Sequence, residues 1–446
     1  MSEAQDSGSV STKLSRIAQI ARERPELAFT SLAHHIDIEF MREAFRRIRK
    51  GGAVGVDGQT AAEYETELNK NLESLLERFK AGTYRAPPVR RVYIPKASGK
   101  LRPIGIPTLE DKVLQRAVLM LLEAIYEEDF HDCSYGFRPN RSAHRALATT
   151  RELLMKTNGG WIIEADLQSF FDTIDHQHLR SFLDRRLRDG VVRRQIDRWL
   201  SAGVLEDGAI SRSELGSPQG GVISPLLANI FLHEVLDTWW QNEVKPRLRG
   251  SGELVRYADD YVLLFAREDD ARRVLEVLPK RVERFALKLH PEKTRLIDFR
   301  SPARKPQGTG EGDQKQTFDL LGFTHYWGRT RRGWWVVKHS TARSRFTRAV
   351  KAMNEWCRSA RHLPIPEQQK TLSQKLRGHF AYYGISGNAR AIGRFQRETL
   401  RIWRKWLGRR SFKARVTWQR FWELMKFHPL PPPRIVHNLK TFAANP

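Results

Sequence analysis

Two stretches of this chain put acids where apolar strands can least tolerate them. Trp161-Ile162-Ile163 runs through Glu164-Ala165 to Asp166, and Leu254 to Phe265 reads LVRYADDYVLLF, with two adjacent acids between apolar runs. The first reads as a buried strand ending at a carboxylate. The second reads as a β-hairpin with Asp259 and Asp260 at its tip. An Asp in a tight turn is ordinary, and an isolated Asp-Asp pair is usually turn chemistry. Two apolar strands that set their acids side by side are different, because the desolvation cost calls for a cation. Mg2+ takes oxygen ligands in near-octahedral geometry, so two ions about 3.5 to 4 Å apart require carboxylates that converge. Asp166 and Asp259 are the expected ligands, Asp260 the neighbouring acid, and the Leu167 carbonyl a further oxygen.

Charge narrows the partners. The 446 residues carry 77 Lys plus Arg against 51 Asp plus Glu, a formal charge of +26, which points to a polyanion. From Thr341 to Pro446 there are 23 Lys plus Arg and 4 acids, so that segment alone holds +19. The same segment is rich in Trp, Tyr and Phe, as in IWRKWLGRRSFKARVTWQRFW from Ile402 to Trp422. Basic side chains neutralise phosphates and exposed aromatics stack on bases, a combination suited to folded RNA or single strands. The plain alternative is a set of amphipathic helices with aromatics inside and charges solvated, and for any single Trp that reading leads. With 40% hydrophobic residues most of the chain should fold, and two cysteines, Cys133 and Cys357, suit a reducing compartment. No apolar run reaches the roughly 20 residues that span a bilayer, and the N-terminus lacks a signal-peptide pattern, so the expectation is a cytoplasmic protein with no membrane partner.

Along the chain, a Gly-rich break at 51–58 precedes an amphipathic helix from Thr60 to Lys80. VRRVYIPKASGKLRPIGIPT, Val89 to Thr108, reads as a hairpin turning at Ala97-Ser98-Gly99. Residues 109–128 read as helix. Ser224-Pro225 opens a strongly apolar helix with Ser as N-cap and Pro at its first position. Another helix is expected from Asp269 to Leu289, a Pro-, Gly- and charge-rich flexible loop at 301–316, and short strands at 318–323 and 333–337. Beyond Ser340 the pattern is helical and basic up to Pro431-Pro432-Pro433.

Tyr257-Ala258-Asp259-Asp260 between apolar strands resembles the polymerase signature of reverse transcriptases. Six further blocks stand in the order of the bacterial group II intron-encoded subfamily: GAVGVDG (Gly52 to Gly58), YIPKASGKLRPIGIPT, SYGFRPNRSAH (Ser134 to His144), EADLQSFFDTIDH (Glu164 to His176), GSPQGGVISPLLANIFL (Gly216 to Leu232) and LLGF (Leu320 to Phe323). Leu376 to Leu407 resembles the thumb or X domain of intron maturases. The resemblance implies an α+β right-hand polymerase with fingers, an antiparallel palm and a helical thumb. Its divisions would be an N-terminal extension (1–35), fingers and palm (36–338), thumb or X domain (339–410) and a basic nucleic-acid-binding tail (411–446).

The same resemblance implies roles. Asp166 and Asp259, with Asp260 adjacent, would hold two Mg2+ ions, for which Mn2+ can substitute, that activate a primer 3′-hydroxyl and stabilise the leaving pyrophosphate. Lys96 and Arg102, on opposite arms of the hairpin, would grip the triphosphate of the dNTP. Phe171 falls where a bulky aromatic bars a ribose 2′-hydroxyl, while Phe170 reads as core. Gln219 would contact the nucleotide or nascent pair, Lys293 is a further nucleotide-side candidate, and Arg138 and Arg141 are candidates for template or nucleotide. Arg377, Arg390, Arg394, Arg404 and Lys405 are the candidate nucleic-acid contacts of the thumb. The partners would be the parent intron RNA, an RNA template and a DNA primer or target. No protein partner is required, although dimerisation is compatible with the pattern. Nothing after Pro433 shows Cys pairs or a His-Asn-His pattern, so the expectation is a lineage without the nuclease domain, associated with nucleoid or ribonucleoprotein. The competing readings are a splicing-only RNA-binding protein, and a stand-alone relative recruited for host defence, CRISPR spacer acquisition or repair.

Overall fold

The computed structural model describes residues 2–95, 101–206, 209–211, 220–304, 316–411 and 415–438. Its strands are β1 (Val89–Pro95), β2 (Leu101–Ile106), β3 (Trp161–Asp166), β4 (Val204–Glu206), β5 (Ala209–Ser211), β6 (Gly252–Tyr257), β7 (Asp260–Phe265), β8 (Arg295–Asp298), β9 (Phe318–Leu320), β10 (Phe323–Arg329) and β11 (Trp335–Thr341). They form sheets of order β2-β1-β4-β5, β6-β7-β3-β8 and β11-β10-β9, among many helices, an α+β architecture. The chain forms two compact units, one from Met1–Arg141, Ala165–Tyr261 and Arg272–Thr294, the other from Ser142–Glu164, Val262–Ala271 and Arg295–Pro446.

The first unit is organised on the helix Leu109–Asp129, which buries Val113, Leu114, Ala117, Val118, Leu121, Leu122 and Ile125. It starts where Thr108 accepts a hydrogen bond from the Asp111 N–H. Buried Asp111 accepts from Trp199 Nε1 (2.7 Å), Gln115 Nε2 (2.8 Å) and Tyr84 Oη (3.2 Å), and burial pushes its carboxyl up to about 6. β1 and β2 pair antiparallel with Ile94 opposite Arg102, as the hairpin pattern predicts; their connection at 96–100 lies outside the described residues. Gly105 and Gly55 are required by close approach, because a Cβ on them would sit 2.4 Å from Val89 Cγ2 and 2.5 Å from Thr108 Cα.

Three expectations are corrected here. The stretch 60–80 is two helices, Ala61–Glu65 and Leu68–Lys80, the first opened by a capping box between Thr60 and Glu63. The helix Ser224–Leu232 is preceded by Ile223, with no side-chain cap among the described residues. Ser224 is 3% exposed, so it lies within the helix rather than at a solvated end, and the helix continues through wide π turns at His233–Asp237 and Trp240–Val244. The helix expected to reach Leu289 spans Glu268–Glu283, and Ala286 beyond it adopts φ +59°, which stops propagation.

The second unit contains β9–β11 and the helices Ala143–Lys156, Arg343–Ser359, Ile365–Tyr383, Ala389–Leu407 and Trp418–Phe427. In Ala389–Leu407 the buried residues Ile392, Phe395, Thr399, Ile402, Trp403 and Leu407 recur at helical spacing. They pack with Met353, Cys357, Leu372, Leu376, Phe380 and Phe421. Trp403 is fully buried and donates to Gln368 Oε1 at 2.9 Å, whereas Trp418 and Trp422 stay 40% and 51% exposed. Of the expected loop 301–316, residues 305–315 lie outside the described ones, and Pro302–Arg304 forms a 3-10 turn. Among the described residues no helix is long and apolar enough to cross a membrane.

Opposed across β10 and β11, His325 and His339 are both buried, their rings 4.5 Å apart, and His325 stacks on Phe318. Burial pushes the His325 imidazole down to about 3 and lowers that of His339. A histidine held neutral in the fold and free to protonate near 6.5 when unfolded contributes stability above pH 6.5 that is lost as pH falls toward 3. Lowering the pH from 7 to 5 should therefore cost about 2 kcal/mol at His325 alone. Urea unfolding checks this: the His325→Phe variant should show a shallower loss of stability over that interval than the wild type.

Candidate active site

The two acid-bearing strands run side by side in opposite directions. A side chain at Gly160, just before β3, would lie 2.2 Å from the Phe265 carbonyl at the end of β7. At the other end of β3, the Asp166 carboxylate lies close enough to Tyr261 to raise its phenol pKa, an effect second to burial. Counting back from Phe265 along antiparallel strands brings Asp166 beside Asp259 to within a residue. The acid-tipped strand and the acid-tipped hairpin of the sequence therefore meet at one end of the sheet, on its two inner strands.

Asp166 is held from several directions. Its carbonyl accepts from the His290 N–H at 2.8 Å, Leu167 forms an antiparallel bridge to Leu289, and the Gln168 N–H donates to the Lys288 carbonyl at 2.8 Å. Its Oδ2 accepts from Lys293 Nζ at 2.6 Å. Lys293, expected on the nucleotide side, thus has its ammonium on the first acid. The Tyr261 hydroxyl is buried within electrostatic reach of that carboxylate and has no hydrogen-bond partner among the described residues. Asp259 is half-buried and Asp260 exposed. Among the described residues, no group of three or more His, Cys, Asp or Glu side chains is placed to hold a metal ion. Mg2+ does not need such a group, since it is commonly held by one or two carboxylates plus waters and substrate phosphates. An oxygen-only donor set that already attracts a cation fits such an ion.

Beneath the hairpin lies a cluster that the sequence reading did not single out. Arg256 is fully buried on β6 and forms a bidentate pair with Asp237, at 2.7 and 2.5 Å. Its remaining donors reach Asn229 Oδ1 (3.1 Å), Ser134 Oγ (2.8 Å) and the Ala258 carbonyl (3.1 Å). Ala258 adopts φ +55°, a conformation few non-glycine residues hold unsupported. The guanidinium thus anchors the turn residue that immediately precedes Asp259. The π turn ending at Asp237 and the Asn229 amide on the same helical run bring the partners together. The available signal was a lone arginine in an apolar strand, which must find an acid if it is buried.

Other candidates divide. Phe170 is buried against Phe231, and Phe171 is left half-buried beyond the left-handed Ser169 (φ +46°). Lys96 and Gln219 lie outside the described residues; Arg102 stands on β2. Gln115 Oε1 accepts from the Val222 N–H at 2.6 Å and so holds the backbone just past Gln219. Arg138, expected at the template or nucleotide, is placed otherwise: its side chain is 4% exposed and it donates to Glu127 and to the His131 and Ser134 carbonyls. It braces the fold from inside. Arg141 donates to Asp132 at 2.5 Å. In the second unit Arg377, Arg390, Arg394 and Lys405 are exposed, and Arg404 lies over the Trp418 ring at 4.2 Å.

Residues 94–325, which contain both acid-bearing strands, match the family model described as reverse transcriptase (RNA-dependent DNA polymerase). The chain belongs to the reverse transcriptases. It has their right-hand polymerase fold and is an RNA-directed DNA polymerase by class. Reverse transcriptases use divalent metal ions and bind nucleic acid substrates. This reverse transcriptase is 38% identical over 281 residues to Protein YkfC of Escherichia coli (strain K12), a match spanning 54% of this chain and 71% of that protein. It is 39% identical over 229 residues to the Group II intron-encoded protein LtrA of Lactococcus lactis subsp. cremoris, spanning 50% of this chain but 37% of LtrA. Over 184 residues it is 30% identical to Nuclear intron maturase 2, mitochondrial, of Arabidopsis thaliana, a match covering 32% of this chain and 24% of that protein.

Removing one member of a buried ion pair leaves the other charge uncompensated, at a cost of about 3–5 kcal/mol. Arg256→Met should lower unfolding stability by that amount, and adding Asp237→Leu should restore most of it. The double variant should still extend primers poorly, because the Ala258 carbonyl has lost its donor; paired unfolding and extension assays separate the two effects.

Proposed function

We propose that this reverse transcriptase synthesises DNA with Asp166 and Asp259 as ligands of two Mg2+ ions, Mn2+ being able to substitute, and that it also acts as a maturase on a group II intron RNA. The observation that supports the first part is that β3 and β7 are neighbours, with their acid-bearing ends at the same end of the sheet. The ions, when bound, supply charge neutralisation for a primer 3′-hydroxyl and a leaving pyrophosphate. The residues' own tasks are positional. Asp166 and Asp259 present carboxylate oxygens, Asp260 and the Leu167 carbonyl stand adjacent, and Arg256 fixes the turn. Lys293 neutralises Asp166 before substrate arrives and, once displaced, can meet a nucleotide phosphate. Lys96 and Arg102 grip the dNTP triphosphate, Gln219 reads the nascent pair, and Phe171 bars a ribose 2′-hydroxyl.

The maturase part rests on the second unit. Its helices bury one apolar face and leave Arg377, Arg390, Arg394 and Lys405 exposed. Cations on a folded helical scaffold can neutralise RNA phosphates, and the names of LtrA and the nuclear intron maturase point to the same partner. The thumb or X domain at 339–410 and the basic tail beyond it carry this task, and a ribonucleoprotein in the cytoplasm or on the nucleoid is its setting. RNA template and DNA primer or target complete the partners, and the same pattern accommodates a dimer.

Two outcomes test the reading. Asp259→Ala should abolish dNTP incorporation on an RNA template while intron RNA affinity, measured by filter binding, stays within about twofold; parallel loss of both would contradict it. Replacing Arg377, Arg390, Arg394 and Lys405 together with Gln should weaken RNA binding at least about tenfold and reduce its salt slope by up to about four. Unchanged slopes would move the RNA site elsewhere.

A further inference from the structure

Phe137 is a large apolar side chain, 55% exposed, held in a left-handed backbone (φ +56°) that a bulky residue adopts only when its surroundings enforce it. The enforcement comes from the catalytic hairpin itself. Ser134 bridges Arg256 in parallel, the Tyr135 N–H donates to the Arg256 carbonyl and the Arg256 N–H to the Cys133 carbonyl, both at 2.8 Å. Asn229 Nδ2 donates to the Gly136 carbonyl at 2.7 Å. A Cβ on Gly136 would lie 2.3 Å from the Ala258 nitrogen, so this backbone rests directly on the turn preceding Asp259. The chain thus spends a strained conformation on keeping an aromatic ring in solvent, with its centroid 6.2 Å from that of Tyr257.

We infer that Phe137, with Tyr257, forms an apolar seat for the terminal nucleotide of the primer strand. The inference rests on the polymerase reading above. The choice of occupant follows from charge. An incoming nucleotide brings a triphosphate, and the arginines next to this ring are committed elsewhere: Arg138 is buried on Glu127 and backbone carbonyls, and Arg141 is paired with Asp132. A primer end reacts through a neutral hydroxyl and offers a flat base and sugar face, which an exposed ring can stack against. A ring carried by a segment that rests on the turn preceding Asp259 would set the distance between that hydroxyl and the carboxylates.

Steady-state extension of a DNA primer on an RNA template by the full-length protein tests this, with primer–template and dNTP varied separately. Phe137→Ala should raise the KM for primer–template about five- to tenfold with the dNTP KM unchanged, and Phe137→Tyr should restore it. Phe137→Asn relieves the backbone strain while removing the ring, so it should behave as Phe137→Ala but with undiminished thermal stability. A primer ending in 2-aminopurine should show fluorescence quenched on binding the wild type and less quenched with Phe137→Ala. An unchanged primer KM, a shift in the dNTP KM alone, or a loss repaired by Phe137→Asn would overturn the inference while leaving the polymerase reading intact. A wild-type protein that extends no primer would overturn both.

Discussion

A guanidinium with no access to water decides where the Asp259 carboxylate stands. Arg256 is placed by β6 inside the first unit, and Asp237 answers its charge with both oxygens. A buried ion pair is not by itself a source of stability, because the desolvation of both partners offsets their attraction. What it supplies here is direction. Once Asp237 fixes the guanidinium, the donors left over have defined targets, and one of them is the carbonyl of Ala258 in its left-handed turn. Asp259 follows directly, and the segment from Cys133 to Phe137 is laid against the same strand. The acids proposed to hold the cations and the ring proposed to seat the primer are thus referred to one internal charge.

The site works by contrast between what is committed and what is available. Arg138, Arg186 and Arg256 are arginines spent on the interior, each joined to an acid and to backbone carbonyls. Lys293 is more than half exposed and is tethered to Asp166 at the surface rather than enclosed. In the second unit the same division appears between Trp403, buried on Gln368, and the stacked, exposed pair Trp418 and Trp422. A charge of +26 therefore overstates the surface available to nucleic acid. What counts is which cations the fold leaves in water.

The sequence made the strands and their acids legible because an apolar run ending in Asp has few physical readings, and the hairpin at 254–265 is one of them. The helix Leu109–Asp129 and the amphipathic pattern of Ala389–Leu407 were legible for the same reason, since their apolar spacing matches one buried face. The pair between Arg256 and Asp237 was not. Asp237 sits on a π turn, whose wider winding no 3.6-residue pattern announces, and the two residues meet only in three dimensions. Ser224 misled for a local reason: a Ser-Pro start looks like a cap, but here the residue is buried and the chain was already turning at Ile223. Arg138 was a template or nucleotide candidate by resemblance, and nothing in the local pattern shows that Glu127 on the preceding helix faces it.

The central claim is that Asp166 and Asp259 share their cations. Crystals of the protein with primer, template and a non-reacting dNTP analogue, soaked in Mn2+, would reveal the ions directly by anomalous scattering. Density is expected within about 2.0–2.4 Å of carboxylate oxygens from both residues. Density bound by one of them alone, or ions gathered elsewhere on the chain, would contradict it.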